Sequence, residues 1–146
     1  MRLRLVLATV PVVSLAVAAA LSPAAAAPTP KPIVMKYDAQ ATPDPTTTGV
    51  QGGCNPVTPT ARHSTAFKVP AAGTLKVELD NTLDWAIGVR QNGKLLGSAD
   101  GTSPEVKETL QVKFKRAGTI SVDACNFAGE LIVPVTVTFT YAPVKK

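Results

Sequence analysis

The sequence predicts an all-β protein in which two antiparallel sheets, built from seven to eight short strands, pack face to face. Three observations predict it. From residue 62 onward apolar and polar side chains alternate with period two, the pattern of strands with one buried face. Turn sequences interrupt the alternation at short intervals, as at Pro70-Ala71-Ala72-Gly73, Asn92-Gly93 and Ala117-Gly118. No stretch after residue 63 combines helical periodicity with helix caps. Apolar rows on one side of each strand need a second layer to cover them, which makes a β-sandwich.

The chain ahead of that body reads differently. Arg2 and Arg4 precede an apolar stretch from Leu5 to Leu21, and Ser22-Pro23 and Ala24–Ala27 follow it. A positive end, an apolar middle and small residues form the layout of a secretory leader, with cleavage expected after Ala26. No cysteine lies near that cut to accept a lipid, and Pro11 and Ser22-Pro23 argue against a retained membrane anchor. Residues 27–61 concentrate prolines, with Thr46-Thr47-Thr48 and Gly52-Gly53 among them, and read as an extended linker. Within it, Ile33-Val34-Met35-Lys36-Tyr37 is the one piece that suits a strand, at a sheet edge. The expected division is therefore leader 1–26, linker 27–61 and sandwich 62–146.

The apolar rows of the body follow in order. Thr65, Phe67 and Val69 share one face, then Leu75, Val77 and Leu79, then Trp85, Ile87 and Val89. Asn92-Gly93 suits a two-residue hairpin because both residues tolerate positive φ, and Leu95-Leu96 begins the return strand. Leu110, Val112 and Phe114 form the next row, and Ile120, Val122 and Ala124 the one after. Val133, Val135, Val137, Phe139 and Tyr141 alternate with Thr136, Thr138 and Thr140 in the clearest strand of all.

The full chain carries a net charge of +5, which falls to +3 once Arg2 and Arg4 leave with the leader. So small a charge makes no case for nucleic acid, which calls for a concentrated basic patch. Two cysteines remain, Cys54 and Cys125, and an isolated pair in an exported chain is expected to form a disulfide. It closes a loop of 71 residues, which on chain entropy stabilises by about 4 kcal/mol. Cys125 has the parity of Ser121 and Asp123, opposite to Ile120 and Val122. The disulfide is thus expected to clip the linker onto the outside of a sheet rather than to join the two sheets.

Several of these pieces occur in a telling order: Thr65-Ala66-Phe67-Lys68-Val69-Pro70, Gly73-Thr74-Leu75-Lys76-Val77, Asp84-Trp85, Asn92-Gly93-Lys94 and Ala117-Gly118-Thr119. Over residues 62–141 they resemble the bacterial pre-peptidase C-terminal domain. Ala124-Cys125-Asn126-Phe127-Ala128-Gly129 looks like variants of it in secreted actinobacterial proteins. The resemblance implies a jelly-roll-like sandwich and an accessory role beside exported proteases and other enzymes. Many relatives carry a second carboxylate after the Asp-Trp pair, where this chain has Ala86, and that departure weakens any metal role the resemblance implies.

No catalytic constellation assembles from the sequence. The single histidine, His63, reads as a solvated strand-end residue, and Ser64 beside it points to the opposite face, so the two cannot form a triad. A blue-copper site fails for want of a second histidine and a free thiolate. Calcium is the one cofactor with candidate ligands, Asp80, Asp84 and Asp100 with Asn81, all in or beside loops; local turn hydrogen bonds account for such residues as well, and no cofactor is the expectation. The aromatic set reads as core, with Tyr37 and Phe127 alone left to stack on a sugar. Lys107, Lys113 and Lys115 share a parity, with Arg116 just beyond, and are candidates for contact with an anionic surface. The expected function is a secreted, non-catalytic module that binds or localises to an extracellular protein or cell-wall polymer, without nucleic acid and without a stable membrane anchor. The alternatives are a small secreted hydrolase and a structural, envelope-associated protein.

Overall fold

A computed structural model describes residues 30–44, 53–80, 83–100 and 107–143. The leader expected at 1–26 lies outside them, as do Asn81 and Thr46-Thr47-Thr48. Eight strands form among the described residues: β1 (Ile33–Gln40), β2 (Arg62–Val69), β3 (Gly73–Leu79), β4 (Asp84–Gln91), β5 (Lys94–Ala99), β6 (Glu108–Phe114), β7 (Gly118–Ala128) and β8 (Ile132–Tyr141). A single 3₁₀ turn, Pro59–Ala61, precedes β2.

The strands make two antiparallel four-stranded sheets. Sheet 1 has the order β1-β8-β3-β6 and sheet 2 the order β2-β7-β4-β5. Every connection crosses from one sheet to the other except the β4–β5 hairpin. This is the jelly-roll arrangement, in which strands from distant parts of the chain become neighbours. The hairpin turns at Asn92 and Gly93, with φ of 52° and 77°, as the Asn-Gly pair dictates.

The core lies between the sheets and follows the alternation read from the sequence. Leu75, Trp85, Val122 and Val137 are all 1% exposed or less, and Val112 is 9% exposed. Ile120, Val122 and Ala124 of β7 face the same cluster, as do Val133, Val135, Val137 and Phe139 of β8. Hydrophobic burial on this scale is the main force holding two sheets together.

Strand β1 begins the sandwich well before residue 62. It pairs with β8 over its whole length, from Ile33 opposite Phe139 to Gln40 opposite Ile132. It is an edge strand, as its short apolar piece suggests, but it extends three residues beyond Tyr37. Ala39 and Ala41, both buried, close the core there. The physical reason is that β8 has ten residues and an unpaired side, and backbone pairing along it does not depend on the side-chain composition of its partner.

The topology gives the molecule two unlike ends. The last residues of β1, β3, β5 and β7 and the first residues of β2, β4, β6 and β8 lie at one end, which we call the long-loop end because the longer connections join them. The tight turns 70–72, 92–93 and 115–117 gather at the other, with the end of β8 beside them.

Candidate functional site

Cys54 and Cys125 form a disulfide, with their Cα atoms 5.2 Å apart. They cluster with Ala86 in a small apolar group separate from the main core, and Phe127 packs against it. Ala86 is the register partner of Cys125 on β4. The disulfide therefore lies on the outer face of sheet 2 and straps residues 53–58 across it, as the parity of Cys125 requires.

The strap is held by more than sulfur. The backbone N–H of Cys54 donates to Ser98 Oγ at 3.0 Å, and Ser98 Oγ donates in turn to the Ile87 carbonyl at 2.7 Å. The N–H of Gly53 donates to Asp100 Oδ2 at 3.0 Å. Farther along, Thr58 donates twice to the buried Asp44 carboxylate, from its N–H at 3.0 Å and its hydroxyl at 3.1 Å. Asp44 itself donates its N–H to the Asn126 carbonyl at 3.0 Å. Asn126, fully buried, ties the neighbouring loops together by donating to the Ala41 and Glu130 carbonyls, both at 3.0 Å.

Under the strap lies a buried charge. The Asp123 side chain is 1% exposed and takes Arg90 Nε on Oδ2 at 2.9 Å. Its other oxygen accepts from Ser64 Oγ at 2.8 Å and Ser121 Oγ at 2.6 Å. Arg90 then donates from Nη2 to the Cys54 carbonyl at 2.8 Å. Burying a carboxylate is costly unless it is paired and hydrogen-bonded, and here it is both. The chemistry this cluster can do is bracing: the carboxylate that accepts from Ser64 also holds Ser121 and Arg90, and His63 lies on the other face of β2.

His63 faces the other way, into the seam between the edges of the two sheets. Its Nδ1 accepts the Gln40 N–H at 3.2 Å, and Nε2 lies 3.2 Å from Thr65 Oγ1. Its ring stacks on Tyr37 with centroids 5.6 Å apart. The expectation of a solvated histidine is corrected: the ring is half-buried, because β1 joins sheet 1 beside it. Tyr37 is likewise taken up by this contact, and burial pushes its hydroxyl above the ordinary phenol range. With Phe127 packed on the disulfide, neither aromatic expected to be available for a sugar stands open. The face opposition of His63 and Ser64 was legible in the sequence. The roles of Arg90 and Asp123 were not, although Asp123 shares the parity of Cys125 and so had to lie beside it.

The calcium candidates divide. Asp80 lies 3.1 Å from Lys107 Nζ at the edge of sheet 1. Asp84 and Asp100 belong to sheet 2 and its following loop, and Asp100 holds Gly53. Burial, and then the negative charge of Asp100, push the Asp84 carboxyl above the usual carboxylate range. Among the described residues no three His, Cys, Asp or Glu side chains stand close enough to share a metal ion.

The lysine row also divides. Lys107 sits 3.1 Å from Asp80 and 3.6 Å from Glu78, which raises its pKa, chiefly through the hydrogen bond to Asp80. Glu78 also pairs with Lys76 at 2.9 Å, and that hydrogen bond holds its carboxyl below the usual range. Lys113 and Lys115 lie at the other end of β6. Six residues of strand separate Lys107 from Lys113, about 20 Å.

No family model matches the chain, and no curated protein matches it. Among solved structures it is similar to the CBM36-1 domain of a multidomain xylanase from the hindgut metagenome of Trinervitermes trinervoides. The identity is 13% and the TM-score 0.32, over 75% of this chain and 100% of that one.

Proposed function

We infer that this chain is an exported, non-catalytic β-sandwich module that binds or localises to a protein or polymer outside the cell. One observation carries the reading: the polar groups best placed for chemistry are consumed in holding the fold. Asp123, Arg90 and Ser64 fasten the strap, while His63 and Tyr37 fill the seam between sheet edges. They face different sides of β2 and share no point at which a substrate atom could be attacked. The fastening is completed by a disulfide, which suits an oxidising compartment.

What remains for an outside partner is surface. The outer face of sheet 1 presents Thr136, Thr138 and Thr140 flanked by Lys36, Lys76 and Thr74, and no described segment crosses it. The resemblance of residues 62–141 to the pre-peptidase C-terminal domain, an accessory module of exported enzymes, supports the same role. The test uses chain purified without residues 1–26, exposed separately to culture supernatant and to washed cell envelopes. Specific capture from either fraction, with no turnover across a panel of generic hydrolase substrates, is the expected result. Turnover of any substrate, or no capture from both fractions, overturns the reading.

A further inference from the structure

The carboxylates of the described residues, Asp123 apart, are sorted to one end of the strand axis, where Arg62 and Lys107 also lie. Asp38, Asp44, Glu78, Asp80, Asp84, Asp100, Glu108 and Glu130 all lie toward the long-loop end. Asp123 is midway along β7 and belongs to Arg90. The tight-turn end carries Lys31, Lys68, Lys94, Lys113, Lys115 and Arg116, all exposed. Among the described residues none of these six lies within ion-pairing distance of a carboxylate.

Net charge conceals this arrangement. Strand β8 runs ten residues between the two ends, a span of about 30 Å. The Debye length at physiological salt is about 8 Å, so the acidic end is screened from anything that approaches the basic one. Of the described residues, the tip presents six cations with no carboxylate among them, not the mild surplus of the whole chain.

We propose that the tight-turn end is a docking site for a flexible linear polyanion, a polymer bearing repeated phosphate or carboxylate groups. The placement of the cations argues for this occupant. Lys31 and Lys113 belong to the two edges of sheet 1, and Lys68 and Lys94 to the two edges of sheet 2. They mark the four corners of the sandwich tip, with Lys115-Arg116 on the turn between β6 and β7. Corners three strand spacings apart are separated by about 14 Å, so a compact anion meets one cation whereas an extended chain crossing the tip meets several.

The same tip is ill-suited to a bilayer. Its turns are Pro70-Ala71-Ala72, Asn92-Gly93 and Lys115-Arg116-Ala117, with no aromatic or large aliphatic side chain to insert. The exposed aliphatics nearest to it, Ile33-Val34 and Leu95-Leu96, sit on opposite edges, on β1 and β5. The turns also hold no aromatic, and Phe114 and Tyr141 at the neighbouring strand ends pack against the core, so no open ring is offered for nucleic-acid bases to stack on. The cations read charge alone.

This inference deepens the reading of the chain as a binding module, and its test separates the two. Binding of long-chain inorganic polyphosphate, of polyglutamate and of inorganic phosphate is measured by calorimetry at low salt, with anionic vesicles as a further arm. Both polymers are expected to bind, with affinity falling steeply as salt rises, and inorganic phosphate and vesicles to bind far more weakly. The triple substitution Lys113→Glu, Lys115→Glu, Arg116→Glu is expected to weaken polymer binding by about tenfold or more. Lys68→Glu with Lys94→Glu, on the other sheet, should act in the same direction, and Lys107→Glu should change it less than about twofold. Unchanged melting temperatures establish that the variants fold.

The proposal is overturned if neither polymer binds, if vesicles bind more tightly than the polymers, or if Lys107→Glu weakens binding as much as the triple. Should the wild type capture material from supernatant or envelopes while ignoring both polymers, the binding module stands and the polyanion site falls.

Discussion

The outer face of sheet 2 carries a strap, a disulfide and a buried ion pair, whereas the outer face of sheet 1 carries hydroxyls and lysines open to water. Their inner faces are alike, each lined mostly by aliphatic residues with a few aromatics among them. The difference arises because one strand, β7, places Ser121, Asp123 and Cys125 on its outward side, where β8 places Thr136, Thr138 and Thr140. A sheet face that is fastened shut contributes to stability, and a face left open is available for contact. The variants below test whether that division holds.

The largest effect belongs to the disulfide. Replacing both Cys54 and Cys125 by alanine is expected to lower unfolding free energy by about 4 kcal/mol, read from urea denaturation under oxidising conditions. Hydrogen exchange should rise first at the backbone amides of residues 53–58, before those of β3 or β8. A loss under about 1 kcal/mol would mean that the strap is anchored by Ser98, Asp100 and Asp44 without its covalent link.

The ion pairs offer the sharpest contrast between faces. Asp123→Ala leaves Arg90 with 18% of its side chain exposed and no counter-charge, which should cost about 3 kcal/mol. Glu78→Ala removes the shared partner of Lys76 and Lys107 on sheet 1 and should cost less than about 1 kcal/mol, because that pair stands largely in water. Equal losses would erase the distinction between a braced face and an open one.

A smaller effect tests the closeness of strap and sheet. A Cβ added at Gly88 would stand 3.0 Å from Cys54 Cβ, so Gly88→Ala should destabilise by about 1–2 kcal/mol. In the chain lacking both cysteines the strap can lift, and the cost should fall by at least about 0.5 kcal/mol. Additive losses in the double-mutant cycle would place the strain elsewhere.

These contrasts also mark what could be read from the chain. The inner faces were legible because period two is a local property: Leu75, Trp85 and Val137 declare themselves by their neighbours. The outward disulfide was legible for the same reason, since parity at Cys125 needs only Ile120 and Val122 for reference. The seam at His63 was not, because it depends on β1 pairing with β8 across nearly a hundred residues. The braced carboxylate was half-legible: Asp123 had to lie beside Cys125, but nothing local connects it to Arg90. The lysine row misled for a simpler reason. Parity says which face a side chain takes, not how far along the strand it lies, and length put Lys107 among carboxylates and Lys113 and Lys115 at the other end.

The smallest expected effect concerns Asp84, at the margin where sheet 2 meets the long loops. Its pKa is raised in the folded state, first by burial and then by Asp100. The folded protein therefore binds its proton more tightly than the unfolded chain does, and stability contributed by this group falls as pH rises from the ordinary carboxylate value through the raised one. Asp84→Asn removes that penalty, so the variant should melt about 1–2 °C higher at neutral pH, and its advantage should vanish below the carboxylate range, where Asp84 is protonated. Calcium provides the discriminating arm. If Asp84 and Asp100 together hold the ion, adding calcium must raise the wild-type melting temperature and chelator must lower it, and Asp84→Asn must abolish both responses. A melting temperature indifferent to calcium, with Asp84→Asn still the more stable protein at neutral pH, assigns the two carboxylates to a mutually repelling pair, of which Asp100 anchors Gly53 of the strap.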